Sequence, residues 1–287
     1  MKIQKIYVAL IAVAFGFTSC NDILSDSTVS TADVVDGLKT ALKIGTDSSA
    51  AELSACDGYY GDPLVQIPLP EEVNTIGNAM EYVRKYSPAA ADTIESKLEN
   101  LKLAINRSAE DAATEAKPIF TDAITNLSIS DGWQILNGEV PGDVTKSEGF
   151  DSLAATKHLK NQTYNALLAA YSPKMNAALD KPFVANESAA DLWHDITANY
   201  NGFVSQYGDL ARAGALILGK NIAFNEVNPD LGELVTGKAL DGLFLKVGDQ
   251  ERAIRRDPFQ WASDIIRKVF GSITTALKTD TTTTEKV

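Results

Sequence analysis

Residues 87–117 read SPAAADTIESKLENLKLAINRSAEDAATEAK, and they carry a helix signal from end to end. Ser87 is a favoured capping residue, and Pro88 takes the first helical position, where its missing N–H group costs nothing. Apolar residues then recur with the four-three-four spacing of one helical face, at Ile94, Leu98, Leu101 and Ile105. Alanines continue that face and allow a neighbouring helix to approach closely. The stretch therefore predicts a long helix facing the core, which we expect to kink or break at Pro118.

The same helical periodicity extends outward over most of the chain. It predicts helices over 31–45, 48–53, 70–86, 118–127, 130–137, 151–180, 188–206 and 209–220, a long helix that begins at Asn228, and a final helix over 258–270. We find no run of alternating polar and apolar residues bounded by turns. The sequence therefore favours an all-α, multi-helix bundle over a parallel-sheet enzyme fold.

One irregular segment interrupts the helices, with DGYYGDP at residues 57–63 followed by IPLP at residues 67–70. Its glycines and prolines stop any helix. A solvated linker has no need of Tyr59, Tyr60 and their apolar neighbours. We therefore expect this Pro- and Tyr-rich loop to pack against the helices.

The N-terminus has the features of a secretory signal. Lys2 and Lys5 precede an uncharged run of 12 residues from Ile6 to Phe17. A membrane-spanning helix needs about 20 apolar residues, so this run is too short to span. Small residues then precede Cys20, and the arrangement resembles the lipobox of bacterial lipoproteins. The resemblance implies that residues 1–19 are removed and that Cys20 carries acyl chains. The alternative is an ordinary secreted protein with a chance cysteine near its cleavage site.

These features predict the organisation of the whole chain. We expect a lipoprotein signal peptide over 1–19, a polar tether over 20–30, one helical domain over 31–271 and a tail without regular structure over 272–287. More than one acyl chain, such as palmitate, makes anchoring stable. The expected location is the cell envelope, on the non-cytoplasmic side of a membrane, with the outer membrane favoured. The expected partners are that membrane and an unidentified protein.

The charge balance argues against two kinds of binding. The net charge is −12, and removal of Lys2 and Lys5 with the signal leaves about −14 (−12 − 2). Such a surface repels phosphate backbones, so we expect no nucleic-acid partner. It also argues against a basic patch that grips anionic lipid head groups. We interpret the acidity as a source of solubility.

Two motif matches lack residues that their chemistry requires. A Walker-type spacing at Gly214–Lys220 is followed by Asn221, where Ser or Thr should hold Mg²⁺, and no strand precedes it. We interpret Gly219 as the cap of an apolar helix end instead. Asp191 and His194 share a helical face, but a metal site in a bundle needs this pair doubled and further carboxylates.

Cysteine and histidine usage gives no stronger site. If Cys20 is acylated, Cys56 has no partner for a disulfide, and it is either a small buried apolar residue or a free thiol. A Cys–His nucleophile would need His158 or His194, and both are distant in sequence. No zinc-type spacing exists. The sequence predicts neither a metal site nor a cofactor.

Three stretches together resemble a known family of exported bacterial proteins. They contain DGYY (57–60) and QIPLP (66–70), then INRSAE (105–110) and AKPIF (116–120), and finally VNPDL (227–231), KALDGLF (238–244), IR (254–255) and VFG (269–271). In this order they resemble the family described as domain of unknown function 4197, over roughly residues 34–271. The resemblance implies one helical exported domain and no established reaction.

The polar residues of these motifs form a shortlist of candidate site residues. They are Asp57, Tyr59, Asn106, Arg107, Glu110, Lys238, Asp241 and Arg255. One hypothesis is that the three stretches meet in one polar site, with Arg107 or Arg255 holding an anionic group that Asp241 or Glu110 orients. The other is that these residues form buried ion pairs and caps that tie the Pro- and Tyr-rich loop to the helices.

Three functions remain open from the sequence. The favoured one is a membrane-anchored envelope protein that binds a partner or stabilises an assembly, which requires an exposed apolar patch. A carrier of an apolar or amphipathic small molecule requires a closed apolar pocket. A hydrolase-like enzyme requires a cleft where shortlisted acids converge.

Overall fold

The computed structural model describes residues 28–142 and 149–283, with side chains as far as residue 273. The predicted signal, Cys20 and most of the predicted tether lie outside these residues. The described helices are α1 (Thr31–Leu53), α2 (Glu72–Tyr86), α3 (Pro88–Asn126), α4 (Gly132–Leu136), α5 (Ala154–Leu179), α6 (Ala189–Ile217), α7 (Gly232–Arg256) and α8 (Asp264–Thr283). A small antiparallel hairpin pairs β1 (Pro182–Val184) with β2 (Glu187–Ser188), and a 3-10 turn spans Pro258–Gln260. The prediction of an all-α, multi-helix fold is confirmed.

Helix α3 is the axis of the molecule. Its 39 residues span about 58 Å at 1.5 Å per residue. The C-terminal half of α3 packs antiparallel to α1 and α5, as the ion pairs Asp47–Lys117 (3.1 Å) and Glu115–Lys174 (3.0 Å) show. Helix α7 packs antiparallel to both α1 and α5 and so completes a four-helix bundle.

The N-terminal half of α3 supports a second group of helices, α2 and α6. Helix α6 runs antiparallel to α3, since Asp195 pairs with Lys97 at 2.8 Å and Tyr207 stacks on Tyr86 just before α3 begins. The segment after α6 packs Phe224 edge-on against Tyr82 at 5.3 Å. Both groups share one continuous hydrophobic core along α3.

Helix α1 begins with a reciprocal cap and is covered at that end by α8. The Ser30 hydroxyl accepts from the backbone of Asp33, while the Asp33 carboxylate accepts from Ser30 N–H. The hydrogen bond from the Ser30 side chain, followed by the bond from Lys268 of α8, holds the pKa of Asp33 below its ordinary value. The start of α1 and the start of α8 therefore lie together.

Several helices continue through residues that predict an end. Gly45 lies inside α1, 3.3 Å from Val247 measured from an ideal Cβ, and Gly208 is a buried residue inside α6. Pro118 neither breaks nor divides α3. It lies on the exposed side of the helix, where water can bind the carbonyl that loses its helical partner. Tertiary packing thus overrides the local signal at the two glycines, whereas exposure to water makes the proline tolerable.

The C-terminal segment differs from the sequence prediction. The sequence favours a tail without regular structure from Ser272 onward, yet α8 continues to Thr283. Ile273 packs against the core and extends the apolar face of the helix past that point. Residues 284–287 lie outside the described part of the chain.

Replacement of Gly37 by alanine tests the contact between α1 and α8. An ideal Cβ at Gly37 lies 2.8–3.0 Å from three side-chain carbon atoms of Val269, so the helices must separate. We expect Gly37→Ala to lower the free energy of unfolding by about 1–3 kcal/mol, as overpacking does, measured by urea denaturation.

Gly77→Ala is the matched control in α2. No atom lies within 4 Å of an ideal Cβ at this exposed glycine. Alanine should therefore raise the free energy of unfolding by about 0.5–1 kcal/mol through helix propensity alone. Equal effects at both positions would contradict the close approach of α8 to α1.

Candidate functional site

A buried carboxylate on α3 holds the Pro- and Tyr-rich loop in place. Glu110 is 5% exposed, and its Oε1 accepts hydrogen bonds from the backbone N–H groups of Tyr59 at 3.2 Å and Tyr60 at 3.1 Å. Its Oε2 accepts from Nη1 of Arg107 at 2.6 Å. Backbone N–H groups of a packed loop need partners, and this carboxylate supplies a charged one.

Arg107 joins Glu110 to a second carboxylate at the edge of the loop. Its Nη2 donates to Oδ1 of Asp57 at 2.7 Å, and its guanidinium carbon lies 5.8 Å from the ring centre of Tyr60. The hydrogen bond to Glu110 raises the pKa of Arg107 further above its ordinary value, which keeps the group charged. The charge of Arg107 is therefore paired within the chain itself.

Two further shortlisted residues attach the loop to α3 and α7. The Asn106 side chain accepts from Ile67 N–H at 2.8 Å and donates to Ile67 C=O at 2.9 Å, in the manner of a strand partner. The hydroxyl of the fully buried Tyr59 donates to the carbonyl of Ala239 at 2.7 Å. Burial raises the pKa of Tyr59 well above its ordinary value, so this hydroxyl remains a donor.

A second buried ion pair lies near the C-terminal end of α7. Arg255 Nε donates to Glu251 Oε1 at 2.8 Å, and its two terminal nitrogens donate to the carbonyls of Leu136 (2.7 Å) and Ile135 (2.9 Å) in α4. Glu251 also accepts from the first turn of α5, including Thr156 N–H at 2.7 Å. One pair thus caps the C-terminus of α4 and the N-terminus of α5.

Lys238 and Asp241 are the two shortlisted residues that face a groove. Asp241 Oδ1 accepts from Lys160 at 2.8 Å, and both side chains are exposed. The groove has a volume of about 490 Å³ and is open to solvent, with Tyr164 and Leu168 among its lining residues. Burial, followed by the charge of Asp241, raises the pKa of Tyr164 above its ordinary value. Other acids line the groove as well, namely Glu71, Glu72, Asp230 and Glu233.

The eight shortlisted side chains therefore occupy three separate places. Five of them tie the loop to α3 and α7, Arg255 ties α7 to α4, and Lys238 and Asp241 line the groove. The hypothesis that all three stretches build one polar site does not describe this arrangement. The alternative, in which these residues act as ion pairs and caps, describes Arg255 and the five residues that hold the loop.

The remaining sequence candidates have structural explanations. Gly214–Lys220 forms the end of α6, where Gly219 adopts a φ of 70° and Lys220 N–H returns to Ala215 C=O at 2.9 Å. His194 is exposed, and Nε2 of His158 lies 3.1 Å from the carbonyl of Ser128. Cys56 is a free, exposed thiol rather than a buried apolar residue.

Neither a cluster of metal ligands nor a membrane-spanning helix occurs in the described residues. Within 28–142 and 149–283, no three His, Cys, Asp or Glu side chains gather closely enough to hold a metal ion. No helix in that part of the chain is both long and apolar enough to cross a bilayer.

The sequence does not predict the exposed apolar surface at the end of α6. Ile217 is 85% exposed, and Leu210, Leu216 and Leu218 are each exposed by more than half. We call these four residues the α6 tip. The sequence predicts only an apolar helix end capped by Gly219, and the exposure of these side chains appears in the described structure, where no element covers them.

Comparison with known proteins gives one match. The model of the family described as Protein of unknown function (DUF4197) matches residues 28–271. The chain belongs to this family. The DUF4197 match includes all three resembling stretches, from the Pro- and Tyr-rich loop to residue 271 in α8. No curated protein and no solved structure matches the chain.

Removal of the Arg107 side chain tests its structural role. Arg107→Ala leaves Glu110 buried without its cation, and breaking such a pair costs about 3–5 kcal/mol of unfolding free energy. We expect the urea midpoint to fall accordingly, with the loop released from α3.

Arg84→Ala is the matched control, because Arg84 pairs with Asp92 and Glu95 on the surface with all three side chains about half exposed or more. Exposed pairs contribute about 0–1 kcal/mol, so its midpoint should hardly change. An Arg107→Ala variant as stable as Arg84→Ala would show that the Arg107 pairs do not hold the loop.

Proposed function

We propose that this chain is a bacterial lipoprotein, anchored to a membrane of the cell envelope through Cys20, whose helical domain binds a protein partner. The short apolar run and the small residues before Cys20 support the anchor. The exposed α6 tip is the observation that supports partner binding, because large exposed apolar side chains grouped at one helix end are typical of interaction surfaces.

The start of α1, which follows the predicted tether, and the α6 tip lie at opposite ends of α3. Helix α1 starts at Thr31, eleven residues after Cys20 (31 − 20), and Lys39 of α1 donates to Thr125 C=O near the C-terminus of α3. The α6 tip lies beside the opposite end of α3. An ideal Cβ at Gly214 of α6 is 3.8 Å from the hydroxyl oxygen of Tyr86, which precedes α3. Because α3 is about 58 Å long, the tip would project far from the bilayer.

The geometry of the α6 tip does not require apolar residues. The backbone closes the helix with Gly219 N–H to Leu216 C=O at 3.0 Å and Lys220 N–H to Ala215 C=O at 2.9 Å. This cap is satisfied without the side chains of Ile217 or Leu218, which extend into solvent. A partner that covers them would gain about 25 cal/mol for each Å² of apolar surface removed from water.

The carrier and enzyme alternatives have less support. A carrier would hold an apolar or amphipathic molecule, but the groove beside Lys238 is open and lined by several acids. A hydrolase would need acids that converge on a substrate. Glu110 and Glu251 are instead buried in pairs with arginines, and Asp241 pairs with Lys160 at the surface.

The anchor is tested by replacing its sulfur. Cys20→Ala removes the acylation site, so we expect the protein to leave the membrane fraction and appear in the soluble fraction after cell lysis. Cys56→Ala is the control, because Cys56 is an exposed thiol of the folded domain, and this variant should remain in the membrane fraction. Full membrane retention of Cys20→Ala would refute the lipoprotein assignment.

The α6 tip is tested by site-specific photo-crosslinking in intact cells. A photoreactive amino acid in place of Ile217 should give a discrete adduct of larger mass, because this side chain would lie in the interface. The same amino acid in place of Leu64, which is 74% exposed in the Pro- and Tyr-rich loop, is the control and should give none. An identical adduct pattern at both positions, or no adduct at either, would remove the support for partner binding through the tip.

A further inference from the structure

Three exposed aromatic side chains lie at the end of the domain where the tether enters. Trp133 of α4, Phe150 before α5 and Phe259 of the 3-10 turn are between 40 and 58% exposed. We call them the aromatic end. Large aromatic rings are costly to leave in water, so their collection at one end of an acidic domain needs a physical explanation.

Trp133 lies directly beside the point where the tether meets the fold. Its indole N–H donates to the hydroxyl of Thr31, the first residue of α1, at 3.3 Å. The neighbouring Gly132 lies 3.2 Å from Val34 of α1, measured from an ideal Cβ. The orientation of the indole is therefore set by the residues that immediately follow the tether.

Arg255 lies between α4, the helix that carries Trp133, and the ring of Phe150. Its guanidinium binds α4 through the carbonyl of Leu136, and it stacks near the ring of Phe150 at 5.5 Å and the ring of Phe270 at 5.4 Å. Phe259 lies against the backbone of Gly271, which follows Phe270. The three exposed rings thus belong to one rigid region built around a buried, paired arginine.

Some of the charges near these rings are paired. Asp33 pairs with Lys268 at 2.9 Å and Asp151 with Lys157 at 2.6 Å, and Asp264 pairs with Arg267. Within the described part of the chain, Asp131 and Asp257 accept hydrogen bonds only from Ser130 and Gln260. A chain with a net charge of −12 is repelled by an anionic surface, so the aromatic rings and not the charges carry the affinity for lipid. Tryptophan and other aromatic residues favour the region of lipid head groups, where the ring is shielded and the indole N–H remains solvated.

We propose that the aromatic end rests on the bilayer surface, with Trp133, Phe150 and Phe259 inserted among the lipid head groups. This inference rests on the proposed anchor at Cys20. Ser30 follows Cys20 by ten positions (30 − 20), which allows at most about 35 Å of extension. An anchored domain is therefore held within reach of the lipid, so a weak interfacial affinity suffices to dock it. Because the tether holds this end near the membrane, a lipid surface is the occupant that we assign to it.

The docked orientation explains the placement of both apolar regions. With the aromatic end on the lipid, α3 would stand away from the bilayer and the α6 tip would face outward. A domain that merely hung from its tether would tumble, and the tip would sample every direction. Docking would thus orient the surface that we propose for the protein partner.

Quenching of tryptophan fluorescence by brominated lipid tests the inference. The full-length lipidated protein, carrying Trp261→Phe, is reconstituted into phosphatidylcholine vesicles with either plain or brominated acyl chains. Trp133 and the buried Trp193 are then its tryptophans in the described domain. We expect brominated vesicles to lower the emission that Trp133 contributes, since acyl-chain bromine quenches only rings that lie in or next to the membrane and aromatic rings favour the head-group region. The added substitution Trp133→Phe should abolish the difference between the two vesicle types.

Flotation of the same samples separates the two proposals. Protein that floats with both vesicle types but shows equal emission in them overturns docking, leaves the anchor intact and assigns the aromatic end to a second copy or another protein. Protein that does not float overturns the anchor and the docking together. Phe150→Ser with Phe259→Ser should float and reduce the quenching, whereas Phe183→Ser in the hairpin should float and leave the quenching unchanged. Equal quenching in all of these variants would also overturn docking.

Discussion

The fold depends on the carboxylate of Glu110 in the middle of α3. Buried beneath the Pro- and Tyr-rich loop, it accepts two backbone N–H groups and a guanidinium, so the loop can pack without leaving donors unsatisfied. The loop in turn delivers Tyr59 to the carbonyl of Ala239 in α7. One carboxylate therefore couples the central helix to the helix that closes the bundle.

Other irregular segments are held in the same way, by polar side chains on rigid helices. Asn201 of α6 accepts from Val227 N–H at 2.9 Å and donates to Val227 C=O at 3.0 Å, as Asn106 does for Ile67. Arg255 binds the last carbonyls of α4 through its terminal nitrogens. Because a loop that packs on a core exposes few of its backbone groups to water, such partners are a condition of the fold. The polar motifs of the family are explained largely by this requirement.

The long axis of the molecule gives its two ends different chemistry. The end that receives the tether carries exposed aromatic rings among charges of which some are paired, and the far end of α6 carries aliphatic side chains on a closed helix cap. Helix α3 connects the two ends through a continuous core. A rigid connection of this kind would let an attachment to lipid at one end set the direction of a contact at the other. The orientation of the α6 tip by the aromatic end depends on that rigidity.

The sequence by itself determined the all-α class, the start of α3 at Pro88 and the packed loop, because helical periodicity and turn residues act over a few positions. The family follows from the resemblance of three stretches of sequence and not from periodicity. Only the tertiary structure decided which polar residues meet. Tyr59 and Ala239 are 180 positions apart, and no local pattern links them. The same limit explains why Gly45 and Gly208 predicted helix ends that packing against neighbouring elements overrides. It also explains the α6 tip, since a run of Leu and Ile is equally consistent with core and surface until the neighbouring elements are in place.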